Sequence, residues 1–494
     1  MKLQKLIHIL ISIACVTFLT QMQAVSPPPD GCYPNSTTAE GCKALQSLTT
    51  GAANTGIGWY SLFATDSGSY NTAVGAGALD LNTADNNTAV GVAALLLNTT
   101  GTNNTANGVG ALVFNDSGEG NTATGAFAMY SNTEGQFNTA NGEFALYFNT
   151  TGERNTAIGD SALYFNTEGS RNTAIDNPAL LNNTTGNDNT ALGAGALFFN
   201  TADGNTAVGA SALTSNTTGN ENTGIGTDAL SANSNGFGNT ATGFQALAGN
   251  VGGLHNTAIG DTALTSNIGD QNTAIGANAL EANTDGSANT AVGRYALLNS
   301  TTGNFKIGLG HGAGGNVTTA SNVICIGSDG ANVTQSCFIG QVRGITTAQN
   351  NAVPVVIDSA GQLGTQSSSR RFKHNIKPME RSSEGVLALK PVTFHYKSDN
   401  TDRPEFGLIA EEVAEVNPDL VVHDKDGEIY TVRYDAVNAM LLNEFLKEHR
   451  KNEEQEATIA RQQKQIDALT AGLQKMSAQL ETTRTIPEIA ANDR

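Results

Sequence analysis

The chain has 494 residues, a length that allows about three domains, but only 14% of its residues are charged, 6% are aromatic and 55 are glycine. This composition argues against a multidomain enzyme built on thick cores of Leu and Phe. The formal net charge of -19 repels phosphate backbones and anionic membrane surfaces, which argues against nucleic acid as a partner.

The N-terminus has the pattern of a secretory signal peptide. Lys2 and Lys5 precede an apolar run over residues 6–19, which is too short to span a bilayer comfortably. We predict a signal peptide over residues 1–24, with cleavage after Ala24. The mature protein is then secreted or held at the cell surface.

Two features bear on membrane attachment. A lipoprotein would be acylated at Cys15, but that signal needs an aliphatic residue where Ser12 stands. No apolar segment of about 20 residues follows the leader, so we predict no transmembrane segment in the mature chain.

Four cysteines remain after removal of the leader, and they form two local pairs. Cys32 lies near Cys42, and Cys325 lies near Cys337. In an oxidising compartment this spacing suggests two small disulfide loops, and four free, partly buried thiols are the alternative. No Cys or His spacing indicates a metal, and no cofactor is expected.

The middle of the chain is a sequence repeat, which is the strongest signal in the sequence. The motif Asn-Thr-Ala-x-Gly, or a close variant of it, recurs every 16 or 17 residues. Its copies start at Asn54, Asn71, Asn87, Asn104, Asn121, Asn138, Asn155, Asn172, Asn189, Asn205, Asn222, Asn239, Asn256, Asn272 and Asn289.

Nearly every repeat carries a second landmark, an Ala-Leu pair seven and eight residues after the Asn, as at Ala162-Leu163. The period therefore offers two short strand-like runs and two turns. Such a length suits one coil of a β-solenoid, with Ala and Leu pointing inward and Asn and Gly at the corners. Stacked Asn side chains can bond along the ladder. We predict about fifteen coils.

A core of Ala and one Leu per coil is thin for a solenoid that stands alone, and three copies around an axis would bury more of each coil. The repeats resemble the heads of trimeric autotransporter adhesins and the shafts of phage tail fibres. That resemblance covers roughly residues 48–345 and implies a trimeric β-roll. We expect no membrane barrel of the kind that ends an autotransporter, because the pattern after the repeats does not resemble one.

The composition changes after about residue 350, where charge density rises. Pro354–Gly361 reads as a short strand and turn, and Pro391–Tyr396 alternates like a strand. Phe406–Val416 has the spacing of an amphipathic helix, and Asp426-Gly427 precedes an apolar run as in a hairpin turn. We therefore expect a small α+β domain in this region.

Two acidic groups in this domain admit a catalytic or metal-binding interpretation. Glu411, Glu412 and Glu415 could be paired catalytic carboxylates, but on an amphipathic helix they form its solvated face. The acidic residues around Asp426 lack the full spacing of a calcium loop, so the hairpin is preferred.

Two separated motifs, Ser368-Ser369-Arg370-Arg371-Phe372-Lys373 and Phe406–Val413, resemble the endosialidase-type intramolecular chaperone domain. This self-cleaving serine peptidase module ends phage tail spikes and fibres, many bacterial surface proteins and animal myelin-regulatory factors. The resemblance implies Ser368 as nucleophile and Lys373 as base. It also implies that the Ser367-Ser368 bond is cut after trimerisation, with Arg371 in support.

The residue types fit this chemistry, because a Ser hydroxyl attacks well only when a base takes its proton. A five-residue separation does not place two side chains on one helical face, so the pair needs a turn or assembly across a trimer interface. The family's usual acidic residue is Ser369 here, and three adjacent serines compete for the role. The alternative is a Ser-rich linker before a basic patch.

The C-terminus has a coiled-coil pattern. Ile459, Ile466, Leu473 and Leu480 recur every seven residues, and Gln462, Leu469 and Met476 fill the second core position. Ile and Leu at these positions favour dimers in isolated peptides, whereas the family resemblance implies three strands.

The predicted protein is therefore a mainly β, secreted, homotrimeric fibre. Its chaperone domain is expected to drive trimerisation and then to release itself by a single self-cleavage. The alternative is an adhesive or receptor-binding fibre, with a cell-surface or glycan ligand, whose chaperone domain is not cleaved.

The predicted parts are a signal peptide (1–24), an N-terminal segment (25–47), a repeat β-roll (48–345), a connector (346–367), a chaperone domain (368–448), a coiled coil (449–484) and a tail (485–494).

Overall fold

A computed structural model describes residues 34–343, 345, 352–358, 361–397, 403–424 and 426–483. The predicted signal peptide, Cys32 and the predicted tail lie outside these residues. The chain divides into two compact units, Met1–Ile345 and Thr346–Arg494.

The first unit is a parallel β-solenoid, here called the β-roll. Its strands pair in chain order with Thr opposite Thr and Ala opposite Ala, as between Thr139–Asn141 and Thr156–Ile158. The strands are β1 (Thr38–Glu40), β2 (Thr55–Ile57), β3 (Thr72–Val74), β4 (Thr88–Val90), β5 (Thr105–Asn107), β6 (Thr122–Thr124), β7 (Thr139–Asn141), β8 (Thr156–Ile158), β9 (Thr173–Ile175), β10 (Thr190–Leu192), β11 (Thr206–Val208), β12 (Thr223–Ile225), β13 (Thr240–Thr242), β14 (Thr257–Ile259), β15 (Thr273–Ile275), β16 (Thr290–Val292), β17 (Ile307–Leu309), β18 (Val323–Ile326) and β19 (Ser336–Ile339).

This architecture confirms the predicted fold class and extends it. The sheet has 19 strands and about 18 coils, more than the fifteen that the motif copies indicated. It starts at Thr38, within the segment assigned as N-terminal, and its last strands lack the Asn-Thr-Ala motif. At the usual strand spacing the stack is about 85 Å long.

The prediction of two strand-like runs per coil was wrong, because only the Thr-Ala run is a strand. The Ala-Leu run is a tight turn in which the Leu backbone is left-handed, with a φ of 53° at Leu163. An extended strand cannot pass through that conformation. The turn still bonds to the next coil, since the Leu163 N–H donates to the Ala179 carbonyl at 3.1 Å.

The interior of the β-roll confirms the inward Ala and Leu, and it also contains asparagine. Two columns of Asn side chains are fully buried along the stack. The first column comprises Asn54, Asn71, Asn87, Asn104, Asn121, Asn138, Asn155, Asn172, Asn189, Asn205, Asn222, Asn239, Asn256, Asn272 and Asn289. The second comprises Asn82, Asn98, Asn115, Asn132, Asn149, Asn166, Asn183, Asn200, Asn216, Asn233, Asn250, Asn267 and Asn283.

Hydrogen bonds along both columns confirm the predicted ladder. In the first column the Asn138 N–H donates to Asn121 Oδ1 at 2.9 Å. In the second, Asn132 Nδ2 donates to Asn115 Oδ1 at 2.8 Å. Gly135 O accepts from Asn121 Nδ2 at 2.8 Å and from Asn132 Nδ2 at 3.0 Å, which joins the columns. These bonds make the buried amides tolerable, because a buried polar group without a partner is costly.

In the described residues of the second unit there are three antiparallel strand pairs, two α-helices and a small core. Short 3-10 helices at Arg370–Phe372, Glu380–Ala388 and Pro418–Leu420 connect them. The strands are β20 (Val356–Ile357), β21 (Leu363–Gly364), β22 (Val392–Phe394), β23 (Glu405–Gly407), β24 (Val421–His423) and β25 (Ile429–Val432), and the helices are α1 (Ala410–Val416) and α2 (Tyr434–Thr483).

Most expectations for this unit are confirmed, including the strand after Pro391 and the hairpin at Asp426. Asp424 Oδ1 closes that hairpin turn by accepting the N–H groups of Asp426 at 2.9 Å and Glu428 at 3.0 Å. The helix predicted from Phe406 begins later, because Phe406 pairs with Thr393 in a β-ladder.

The core of the second unit is small and lies where the Glu380–Ala388 helix, α1 and the β24–β25 hairpin meet the start of α2. Its buried members are Val386, Val413, Leu420, Val421, Val432, Val437 and Met440. Beyond this core α2 continues as a single helix to Thr483. Among the described residues, no helix is both long and apolar enough to cross a membrane.

Candidate functional site

A turn brings the two predicted dyad residues together. Ser369 precedes a single turn of 3-10 helix, in which the Phe372 N–H donates to the Ser369 carbonyl and the Lys373 N–H to the Arg370 carbonyl, both at 3.1 Å. The chain reverses there, and Lys373 Nζ lies 3.2 Å from Ser368 Oγ. This is hydrogen-bond distance, so the sequence separation of five residues is bridged within one chain.

The surroundings of this pair are open. Ser368 and Lys373 are both exposed in the single chain. Arg371 extends over the Phe372 ring, with its guanidinium carbon 4.6 Å from the ring centroid. Ser367 Oγ accepts the Ser369 N–H at 3.3 Å, so the neighbouring serine hydroxyls have different contacts. The roles of nucleophile, base and supporting cation stay predictions.

One contact ties the loop before Ser368 to the long helix. Gln366 Nε2 lies 3.4 Å from Asp435 Oδ2 in the first turn of α2. The segment that holds the predicted scissile bond is thus fixed on one side to the element that carries the coiled-coil pattern.

A second polar cluster, centred on Ser383, lies between the Glu380–Ala388 helix and α2. Ser383 is fully buried. Its hydroxyl lies 2.5 Å from Glu444 Oε1, 2.7 Å from Asn443 Nδ2 and 3.4 Å from Lys447 Nζ. Lys447 Nζ also donates to Glu444 Oε1 at 2.6 Å. These contacts hold the pKa of the Glu444 carboxyl below its ordinary value, first through Lys447 and then through Ser383.

Sequence reasoning did not find this cluster. Its members lie about 60 residues apart and belong to no motif, so only the packing of two helices brings them together. The one available signal is local, since Asn443, Glu444 and Lys447 share a helical face at spacings of three and four.

The predicted disulfide cysteines that the structure describes are free thiols. Cys325 is buried, whereas Cys42 and Cys337 are exposed. In the β18–β19 ladder Cys337 is opposite Ile324, so Cys325 and Cys337 point to opposite faces of the sheet. Burial raises the pKa of the Cys325 thiol. Cys32, the predicted partner of Cys42, lies outside the described residues.

The acidic residues on α1 have the arrangement of a solvated face. Glu411, Glu412 and Glu415 are exposed around the buried Val413. Within the described residues, no group of three or more His, Cys, Asp or Glu side chains could hold a metal ion.

Residues 368–422 match the model of the peptidase family described as the chaperone of endosialidase. The match begins at Ser368 and includes Lys373, and it confirms the resemblance inferred from the two motifs. No curated protein and no solved structure matches the chain.

Proposed function

We propose that this chain is a secreted trimeric fibre whose C-terminal domain aligns three copies and then releases itself by cutting the bond before Ser368. The observation that carries the proposal is the 3.2 Å approach of Lys373 Nζ to Ser368 Oγ inside the segment that matches a self-cleaving chaperone family. The β-roll is the fibre shaft in this proposal.

The chemistry needs only this chain and water. Neutral Lys373 takes the Ser368 hydroxyl proton, and the oxygen attacks the Ser367 carbonyl carbon. The carbon–nitrogen bond of the peptide breaks as the lysine returns the proton to the Ser368 nitrogen, which leaves an ester. Water then hydrolyses the ester, giving a carboxylate at Ser367 and a free amino group at Ser368.

Assembly supplies what the single chain lacks. A lysine serves as a base when burial or nearby cations favour its neutral form, and Ser368 and Lys373 are exposed in one copy. Enclosure by neighbouring copies would provide the burial and would make cutting wait for trimerisation. The trimer is thus part of the mechanism that we propose.

Exposed apolar residues support self-association of the second unit. The seam residues Ile459, Ile466 and Leu473 of α2 are 61%, 54% and 62% exposed in one copy. An apolar groove of about 850 Å³, lined among others by Phe406 and Leu441, opens near the start of α2. A helix with such a seam is stable in water when it packs against further helices.

The secreted location rests on the signal peptide predicted for residues 1–24. Self-cleavage suits a fibre that assembles outside the cytoplasm, because the residues that cut the chain belong to it and no external energy source is needed. Expression with and without residues 1–24, followed by fractionation, tests the location.

Synthesis of the full chain followed by a denaturing gel tests the cleavage. We expect two fragments, and N-terminal sequencing of the smaller one should begin at Ser368. Ser368→Ala and Lys373→Met should leave the chain whole, because each removes one half of the proposed pair.

The neighbouring serines provide matched controls. Ser367→Ala and Ser369→Ala remove a hydroxyl one position away and should still be cut. If Ser368→Ala is cut as fast as the wild type, the proposed self-cleavage is wrong.

A further inference from the structure

The Ser383 cluster has more hydrogen bonds than the predicted dyad, but its buried position argues against a second catalytic pair. Ser383 lies in the middle of the Glu380–Ala388 helix, and its Oγ atom is fully buried and also within 3.2 Å of the Glu380 carbonyl. A buried hydroxyl in a helix cannot approach a peptide bond. Ser383 and Lys447 are therefore unsuited to act as a second nucleophile and base, although they lie 3.4 Å apart.

The cluster fixes the start of the Glu380–Ala388 helix to α2. Asn443 Nδ2 contacts both the Glu380 carbonyl at 3.2 Å and Ser383 Oγ at 2.7 Å. Glu380 lies seven residues after Lys373. On the other side, Gln366 contacts Asp435 at 3.4 Å. Both flanks of the segment from Ser368 to Lys373 are thus attached to one helix.

The first turns of α2 have two faces with different surroundings. One face is buried against the domain through Val437 and Met440 and continues into the Ser383 cluster. The other face exposes Leu441 and Phe445. Counting back from Ile459 in steps of seven passes Asn452 and reaches Phe445, so this exposed face lies in line with the predicted seam across one polar position.

We propose that Ser383, Asn443, Glu444 and Lys447 form a positioning network that transmits helix assembly to the dyad. This inference rests on the proposed function. Packing of the outer face of α2 against other copies fixes the helix, and the network then fixes the segment that follows Lys373. Catalytic geometry depends steeply on such placement, since a shift of about 1 Å can lower a rate on the order of a hundredfold.

The test follows assembly and cleavage separately in one experiment. The full chain is labelled in a short pulse of cell-free synthesis, and samples are taken over time. Native gels report the trimer, and denaturing gels report the cut. The temperature is set well below the melting midpoint of each variant, measured in a Ser368→Ala background, so that loss of stability alone cannot slow the reaction.

We expect Ser383→Ala and Lys447→Met to form trimers like the wild type and to be cut more slowly, on the order of tenfold or more. Ser383→Thr keeps the hydroxyl and should restore most of the rate. Lys451→Met is the matched control, because Lys451 lies one turn further along α2 and contacts Glu448 of its own helix at 3.6 Å.

Two results would overturn the positioning role. Trimers of Ser383→Ala that are cut at the wild-type rate would show that the network is irrelevant to the dyad. Cutting that falls only in proportion to the amount of trimer would show that the network serves assembly alone. Failure of the proposed function is a separate result, namely a wild-type chain that forms trimers and stays whole, or a Ser368→Ala chain that is cut as fast as the wild type.

Discussion

The buried asparagines of the β-roll depend on the coil above and the coil below for their hydrogen bonds. Asn149 illustrates this, because its Nδ2 donates to Asn132 Oδ1 at 2.7 Å and its Oδ1 accepts from Asn166 Nδ2 at 2.7 Å. Asn149 also begins an Asn-Thr-Thr glycosylation signal, and its complete burial makes that signal inaccessible in the folded chain. A residue that matches a glycosylation signal in the sequence is therefore part of the interior of the β-roll.

The first asparagine column ends at Lys306, which is fully buried where an Asn would continue the ladder. Its N–H still donates to Asn289 Oδ1 at 2.9 Å, but among the described residues its Nζ has no hydrogen-bond partner. Burial lowers the pKa of Lys306 to about 8. The folded coil therefore favours the neutral amine more than the unfolded chain does.

Lys306→Asn should stabilise the β-roll at pH 7, by on the order of 3 kcal/mol at most, because it removes the cost of burying a charge. The wild type should gain stability as the pH rises from about 8 to the ordinary lysine pKa of 10.5, since the unfolded chain binds more protons in that window. Thermal unfolding of both proteins between pH 7 and pH 10.5 measures this.

The comparison of the two proteins removes the contribution of other groups that titrate in the same range. The difference between their melting midpoints should shrink as the pH rises. A difference that stays constant with pH would contradict the burial of a charged Lys306.

At the scale of the coil, glycine permits the close stacking of neighbouring backbones. Gly142 has a φ of 150°, and a Cβ atom there would lie 2.3 Å from the Gly159 carbonyl oxygen. That contact is with backbone, which cannot move aside without disturbing the next coil. Gly142 is therefore required at its position by stacking as well as by backbone conformation.

Gly142→Ala should destabilise the β-roll by about 2 to 3 kcal/mol, because it combines overpacking with an unfavourable φ. Gly195→Ala is the matched control, since Gly195 has a φ of 69° and a Cβ there would meet no atom within 4 Å. We expect about 1 kcal/mol for that control from backbone strain alone. Denaturant unfolding separates the two, and equal effects would show that stacking does not contribute.

The sequence was sufficient to predict some elements and insufficient for others, for physical reasons. The solenoid, the inward Ala and Leu and the hydrogen-bonded Asn follow from a strict period. The second strand was wrong because the left-handed backbone of residues such as Leu163 is stabilised by contacts between coils, which a local pattern does not contain. Ser368 and Lys373 carry a family motif, whereas Ser383 and Lys447 become neighbours only when two helices pack.

At the scale of the whole molecule, similar coils provide little information about which coil of one copy should face which coil of another. A slip by one coil replaces Ala with Ala and Asn with Asn along most of the β-roll. The domain that follows it has an unrepeated sequence, and α2 has an exposed seam. In the proposed trimer both would specify a single alignment. Because the β-roll is repetitive and the domain after it is not, we expect assembly to begin at the C-terminal end.

Ile466→Asp should therefore reduce both trimer formation and self-cleavage, because it places a charge in the seam that the proposed trimer would bury. Ala468→Asp introduces the same charge on the same helix outside the seam and should have little effect. Light scattering measures the assembly, and a denaturing gel measures the cut. Trimers of Ile466→Asp that form normally would refute the role of the seam.

Because every coil bonds only to its two neighbours, the number of coils can change without altering how any one of them is built. Loss or duplication of one repeat in the gene would shorten or lengthen the stack by about 5 Å and leave the residues after Ile345 unchanged. Related genes could thus encode shafts of many lengths that share one C-terminal domain.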